Sequence, residues 1–141
     1  MSLAIYFVIQ GKPHGKGRPR ASTRGGFVRL YTDLKTRVYE ALVSKQSKLA
    51  MGELDILDTP VAVRINAYYH IPISWSKNKR QMAMNGEIVP GKPDLDNIAK
   101  SILDGIQNTV ITDDRNVCKL TIEKTFSSQP RVEVCVYEVL P

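Results

Sequence analysis

The sequence predicts an α/β (α+β) fold, a two-layer sandwich in which two main helices cover a mixed or mostly antiparallel sheet. Three observations carry this. Runs rich in β-branched and aromatic residues at 3–9, 61–71, 117–126 and 131–139 have the length and alternation of strands. Two longer stretches, from Thr32 to about Met51 and from Leu95 to about Asn108, repeat apolar residues at helical spacing. Strands bracket both helices, so the helical layer needs a sheet to pack on. At 141 residues and 43% hydrophobic content, the chain is long and apolar enough for one core, and is read as a single domain spanning 1–141.

Leu3–Ile9 is the first strand. The loop after it, Gly11-Lys12-Pro13-His14-Gly15-Lys16-Gly17-Arg18-Pro19-Arg20, is broken by glycine and proline and extends to Arg24-Gly25-Gly26. It carries Lys12, Lys16, Arg18, Arg20 and Arg24 with no acidic residue, so a polyphosphate can thread across it; a merely solvated loop would have the same composition. Phe27–Tyr31 is expected to pair with the first strand as a hairpin. Thr32 is the expected N-cap of the first helix, with Leu34, Val38, Leu42, Val43 and Leu49 near one face.

In Val61–Ile71, Val61, Val63, Ile65, Ala67 and Tyr69 alternate with a more polar set, and His70 falls at the strand end. Ser74–Asn85 predicts a short helix ending at Gly86. It adds Lys77, Lys79 and Arg80 as DNA-binding candidates, and Trp75 reads as a core anchor more readily than as a base-stacking wedge. The helix after Pro93 follows, then Val110-Ile111 and an acidic turn. Val117–Phe126 and Arg131–Val139 are expected to form a terminal hairpin.

The net charge of +6, concentrated in clusters, is the footprint of a polyanion binder, with nucleic acid the leading candidate. No apolar run approaches the roughly 20 residues that cross a bilayer, and no cleavable signal pattern opens the chain, so a cytoplasmic protein with no membrane partner is expected. Cys118 and Cys135 are too few for a zinc cluster and are expected as buried, reduced thiols in two strands. With only His14 and His70, histidine-dependent metal chemistry has little support.

Chemistry concentrates in Lys92-Pro93-Asp94-Leu95-Asp96-Asn97-Ile98-Ala99-Lys100 and, one helix later, in Asp113-Asp114-Arg115. Hard cations such as Mg²⁺ take carboxylate oxygens and share them with substrate phosphates. Pro93 starts a helix after itself and sets Asp94 and Asp96 in the first turn, where the helix dipole tolerates negative charge. Leu95, Ile98, Ala99, Ile102, Leu103 and Ile106 form the buried face, leaving Asp96, Lys100 and Asp104 one turn apart on the other. Lys100 can hold a scissile phosphate or stabilise its developing charge. The plain structural alternative makes Asp94 a cap and Asp96 with Lys100 an i,i+4 pair adding roughly 0.2–0.5 kcal/mol. The third acidic site, in an otherwise basic chain, favours a metal site. It is expected at one edge of the sandwich, where the helix starts and the acidic turn reaches back.

This ordered set, Asp94-Leu95-Asp96-Asn97, Lys100, Asp104 and Asp113-Asp114 before a strand, resembles the RusA family of Holliday junction resolvases, with the Gly15–Arg20 segment similar to the basic loop of members from Gram-positive hosts and their phages or prophages. The resemblance implies that Asp94, Asp96 and Asp114 bind the metal, with Asp113 as a less critical neighbour, and that Lys100 is the essential basic residue. It implies Mg²⁺ dependence with Mn²⁺ as a substitute ion, a homodimer, and paired symmetric nicks in four-way junction DNA during recombination and repair. A C2 dimer matches the symmetry of two opposed cuts.

The alternative, a non-catalytic nucleic-acid-binding module, gives no reason to place carboxylates where phosphate must approach. A nucleotide-sugar transferase would need more chain than 141 residues. An aspartyl-phosphate phosphatase would need an apolar strand where Gly91-Lys92-Pro93 stands, and the Glu-x-Lys nuclease signature is absent, since Glu123-Lys124 lacks the intervening residue.

Overall fold

A computed structural model describes residues 1–17 and 20–140, with side chains at 20 and 29–31 outside the description. In it the alternating runs become β1 (Ser2–Gln10), β4 (Val61–His70), β5 (Val117–Ser127) and β6 (Arg131–Glu138), and the helical runs become α1 (Leu34–Met51), α2 (Lys77–Met84) and α3 (Leu95–Ile106). Two three-residue strands, β2 (Arg20–Ser22) and β3 (Arg29–Tyr31), form a separate small ladder.

The main sheet has the order β1-β6-β4-β5. It is mixed: β6 is antiparallel to both β1 and β4, and β5 runs parallel to β4, which α3 makes possible by crossing over between them. One face of the sheet is the core. Ile5, Phe7 and Ile9 of β1 stand opposite Val136, Val134 and Val132 of β6, which in turn face Val63, Ile65 and Ala67 of β4. All are buried, and Val43 and Met51 of α1 with Ile98, Ile102 and Ile106 of α3 close over them.

Three expectations about pairing and facing are corrected. β5 and β6 are not a hairpin, because β4 lies between them. The physical reason is burial: Val132, Val134 and Val136 need neighbours on both sides, whereas β5 exposes Lys119, Leu120, Glu123 and Thr125 and suits an edge. Residues 29–31 pair with β2 and not with β1, whose inner edge is taken along its length by β6.

The third correction concerns α1, whose N-cap is Asp33 in place of Thr32. Leu34, Val38, Leu42 and Leu49 face outward, and its buried residues are Thr36, Val43, Ser47 and Met51. The cause is a close crossing with α3. A Cβ added at Gly105 would lie 2.6 Å from Val43 Cβ, so only small side chains fit along this contact. Ser47 fills it and pairs its hydroxyl with Thr109 at 2.9 Å.

The cysteines occupy β5 and β6 as expected and are free, but Cys118 is exposed at the bulge where β5 slips one residue against Val61, and Cys135 is half-buried, alternating with the core residues Val134 and Val136. No helix among the described residues is long and apolar enough to cross a membrane.

Candidate active site

α3 is amphipathic in the predicted sense. Ile98, Ala99, Ile102 and Ile106 are buried together with Ser101 and Gly105, Leu95 and Leu103 are half-buried, and Asp96 and Lys100 are exposed one turn apart. Asp94 occupies the N-cap with extended backbone, and its carbonyl accepts the first helical hydrogen bond from Ile98 N–H at 3.1 Å. Its carboxylate makes no capping bond. The N-caps of the other two α-helices and of the turn before β5 do: Asp33 accepts from Thr36 N–H at 2.7 Å, Ser76 from Lys79 N–H at 3.2 Å and Asp113 from Arg115 N–H at 3.0 Å. Nor do Asp96 and Lys100 form an ion pair, so both halves of the plain structural alternative are missing among the described residues.

The turn that presents Asp94 is held from behind. The Tyr69 hydroxyl, at the end of β4, donates to the Pro93 carbonyl, and Lys124 of β5 donates to the Gly91 carbonyl at 3.1 Å. Burial, with the Asp94 charge adding to it, pushes the Tyr69 hydroxyl up to about 12, so it stays a donor at any ordinary pH. The Lys92–Pro93 peptide is cis. Neither anchor was singled out from the sequence as functional; Tyr69 read there as one more inward residue of an alternating strand.

Asp113 and Asp114 stand in the turn before β5. The Arg115 backbone N–H holds Asp113 below the usual carboxylate range, and the hydrogen bond with Asp113 pushes Asp114 above it. Two carboxylates sharing a hydrogen bond are the donor chemistry that a hard divalent cation satisfies, so the oxygen-only set fits such an ion. The acidic turn does not, however, reach back to the helix start. Asp94 and Asp96 begin α3, while Asp113 and Asp114 follow its other end, where Asp114 feels the charge of Asp104. A helix of 12 residues is about 18 Å long. Among the described residues, no three acidic, histidine or cysteine side chains of one chain gather into a metal-holding group.

The basic candidates divide. Lys12, Arg24, Lys77, Lys79 and Arg80 are exposed, and Lys79 lies over the half-buried Trp75 ring at 4.1 Å while that ring packs edge-on against Phe126, outside the core cluster. Lys16 turns inward, 2.6 Å from Asp104 and 3.0 Å from Glu40. Arg18 and the Arg20 side chain lie outside the described residues. A cleft of about 810 Å³ opens between the basic segment, the first half of α1 and the Pro93 turn, lined among others by Lys12, Lys35, Lys92, Asp94 and Asn97. Carboxylate and cations thus meet in one concavity.

Known proteins bear on this arrangement. The model of the family described as "Endodeoxyribonuclease RusA" matches residues 10–137. A protein of Bacillus subtilis (strain 168) named "Uncharacterized protein YqaN" is 36% identical over 138 residues, 96% of each chain, consistent with a Gram-positive or prophage type. A match extending from the end of β1 to the end of β6 takes in the Asp94 turn, the acidic pair and the basic segment together, and on it the chain belongs to the RusA family of endodeoxyribonucleases, which resolve Holliday junctions by hydrolysing phosphodiester bonds.

Proposed function

We propose that this chain is a Mg²⁺-dependent resolvase that acts in the cytoplasm as a homodimer and nicks opposed strands of a four-way DNA junction symmetrically. The family supports divalent-metal-dependent nuclease chemistry and junction DNA as the substrate. The observation that carries the site is the uncapped Asp94 carboxylate, presented by an anchored turn to a cleft lined with lysines.

In this reading Asp94, Asp96 and Asp114 hold the metal, Asp113 assists, and Lys100 contacts the scissile phosphate. A divalent cation bound by these carboxylates would supply polarisation of the phosphodiester and activation of a water. The chain's own part is positional. Tyr69 and Lys124 fix the turn carrying Asp94, and α3 sets Asp96 and Lys100 on one exposed face. Lys12, Arg18, Arg20, Arg24, Lys77, Lys79 and Arg80 draw the DNA arms across the surface.

Two features support the dimer. The two carboxylate pairs stand at opposite ends of α3, and a two-fold axis can bring the Asp113-Asp114 pair of one chain to the Asp94–Asp96 pair of another. In addition, Leu34, Val38, Leu42 and Leu49 form an apolar stripe on α1, and all but Leu42 are more than half exposed; such stripes mark interaction surfaces. The test is incubation with a synthetic four-way junction and a linear duplex of matched sequence. Paired symmetric cuts in the junction alone, and only with Mg²⁺, are expected. Equal cutting of the duplex, or full activity in excess chelator, refutes the reading.

A further inference from the structure

We infer that Lys16 is a positioning residue of the active site and not a phosphate contact: its ion pairs with Glu40 and Asp104 fasten residues 13–16 as a strap across α1 and α3, and the strap holds the first turn of α3 in place. The inference rests on the assignment of Asp94 and Asp96 to the metal site.

The strap is tied at every residue. Pro13 is buried. The His14 ring shares a hydrogen bond with Thr36 of α1 at 2.9 Å, and its carbonyl accepts from Ser101 of α3 at 2.9 Å. Gly15 lies so close to the Pro93 turn that a Cβ there would come within 2.5 Å of Pro93 Cβ and 3.1 Å of Asn97 Cβ. Lys16 donates its backbone N–H to the Asn97 carbonyl at 3.0 Å. Its ammonium then sits 2.6 Å from Asp104 and 3.0 Å from Glu40, the second contact a charge pairing without hydrogen-bond alignment. Along the Pro93 turn and α3 the contacts fall at Pro93, Asn97, Ser101 and Asp104, spaced by about one helical turn.

Asp94 leaves its helix without a side-chain cap, and an uncapped first turn has unsatisfied N–H groups and frays. The strap supplies from outside the restraint that the cap would have supplied. It also explains why one lysine of a basic loop is only 16% exposed. A phosphate reaching that ammonium would have to displace two carboxylates, which leave the spot with a net negative charge. The flanking Lys12 stays exposed for DNA.

Lys16→Met, Lys16→Arg and Glu40→Gln in the full chain test this against wild type. Glu40 is informative because a carboxylate cannot be a phosphate contact. Junction binding in Ca²⁺ over a salt series, single-turnover cleavage at saturating junction and Mg²⁺, and amide hydrogen exchange are read together. Expected for Lys16→Met and Glu40→Gln are an unchanged salt slope, faster exchange confined to 95–99, and a cleavage rate lower by roughly 10- to 100-fold, with Lys16→Arg restoring most of the rate. A salt slope lower by about 0.9 in Lys16→Met makes Lys16 a phosphate contact and overturns the inference. So does wild-type exchange at 95–99 in Glu40→Gln, or faster exchange spread equally over β4 and α1. If Lys16→Met fails to fold, Lys16→Arg and Glu40→Gln decide alone. Wild-type protein that cuts no junction refutes the nuclease assignment, while the exchange and salt measurements still decide the strap.

Discussion

Asp94 stands where a helix ordinarily spends its side chain on a cap, and it does not cap. Asp94→Asn is therefore expected to leave unfolding free energy within about 0.5 kcal/mol of wild type, as for a surface change, while cleavage is abolished and junction binding persists. Asp96→Asn and Asp114→Asn should behave alike in cleavage and binding assays run side by side. Asp113→Asn should hurt less, since the amide oxygen still accepts from Arg115 N–H. A second residue-scale expectation concerns Glu133 on the open face of the sheet. Burial pushes its carboxyl up, but hydrogen bonds from Tyr6 and Tyr68 and the charge of Arg131 outweigh this and hold it below its ordinary value of 4.5. A depressed folded pKa adds stability above the unfolded value and loses it as pH falls through the folded one. Thermal midpoints should therefore decline below about pH 4.5 in wild type, and decline less steeply in Glu133→Gln.

At the scale of elements, the α1–α3 crossing decides how the helical layer sits. A Cβ added at Gly105 would lie 2.6 Å from Val43 Cβ and Cγ1 and 3.3 Å from the Glu40 carbonyl, so an added methyl cannot be relieved without moving the α1 backbone. Alanine gains about 1 kcal/mol of helix propensity over glycine, yet overpacking costs about 1–3 kcal/mol. Gly105→Ala should therefore lose on the order of 1 kcal/mol in urea unfolding, and adding Val43→Ala should recover part of it. The same crossing explains why the apolar stripe of α1 faces outward. Leu34, Val38, Leu42 and Leu49 lie at good helical spacing, but side chains of that size hold two helices too far apart for the Gly105 contact. Thr36 and Ser47, polar in sequence, take the inner face because they are small and find hydroxyl or ring partners there.

For the whole molecule, the outward stripe on α1 becomes the expected seam between two copies. Val38→Glu with Leu42→Lys places charge on exposed positions and should not disturb the core. Sedimentation at micromolar concentration should show twice the 15.8 kDa chain mass for wild type and the single mass for the double variant, with paired cuts lost in the latter. A double variant that stays dimeric would move the seam elsewhere.

What the amino-acid sequence determined by itself is what is local in the chain. Alternation fixed the extents of β1, β4, β5 and β6 to within a residue or two, helical spacing located α1 and α3, the stop at Gly86 located the end of α2, and Pro93 with the residues after it placed Asp94 and Asp96 at the start of α3 with Lys100 one turn on. Each of these follows from backbone restriction and from the period at which one face of a segment can be buried. Tertiary structure alone decided which segments meet: β6 between β1 and β4, small residues of α1 against Gly105, Lys16 against Glu40 and Asp104, and the acidic turn at the far end of α3 from Asp94. A periodic pattern states that a face will be covered without naming its cover. The cover is selected by side-chain size at contacts between residues dozens of positions apart, by which strand edges remain unpaired, and by where a buried charge finds its counterion.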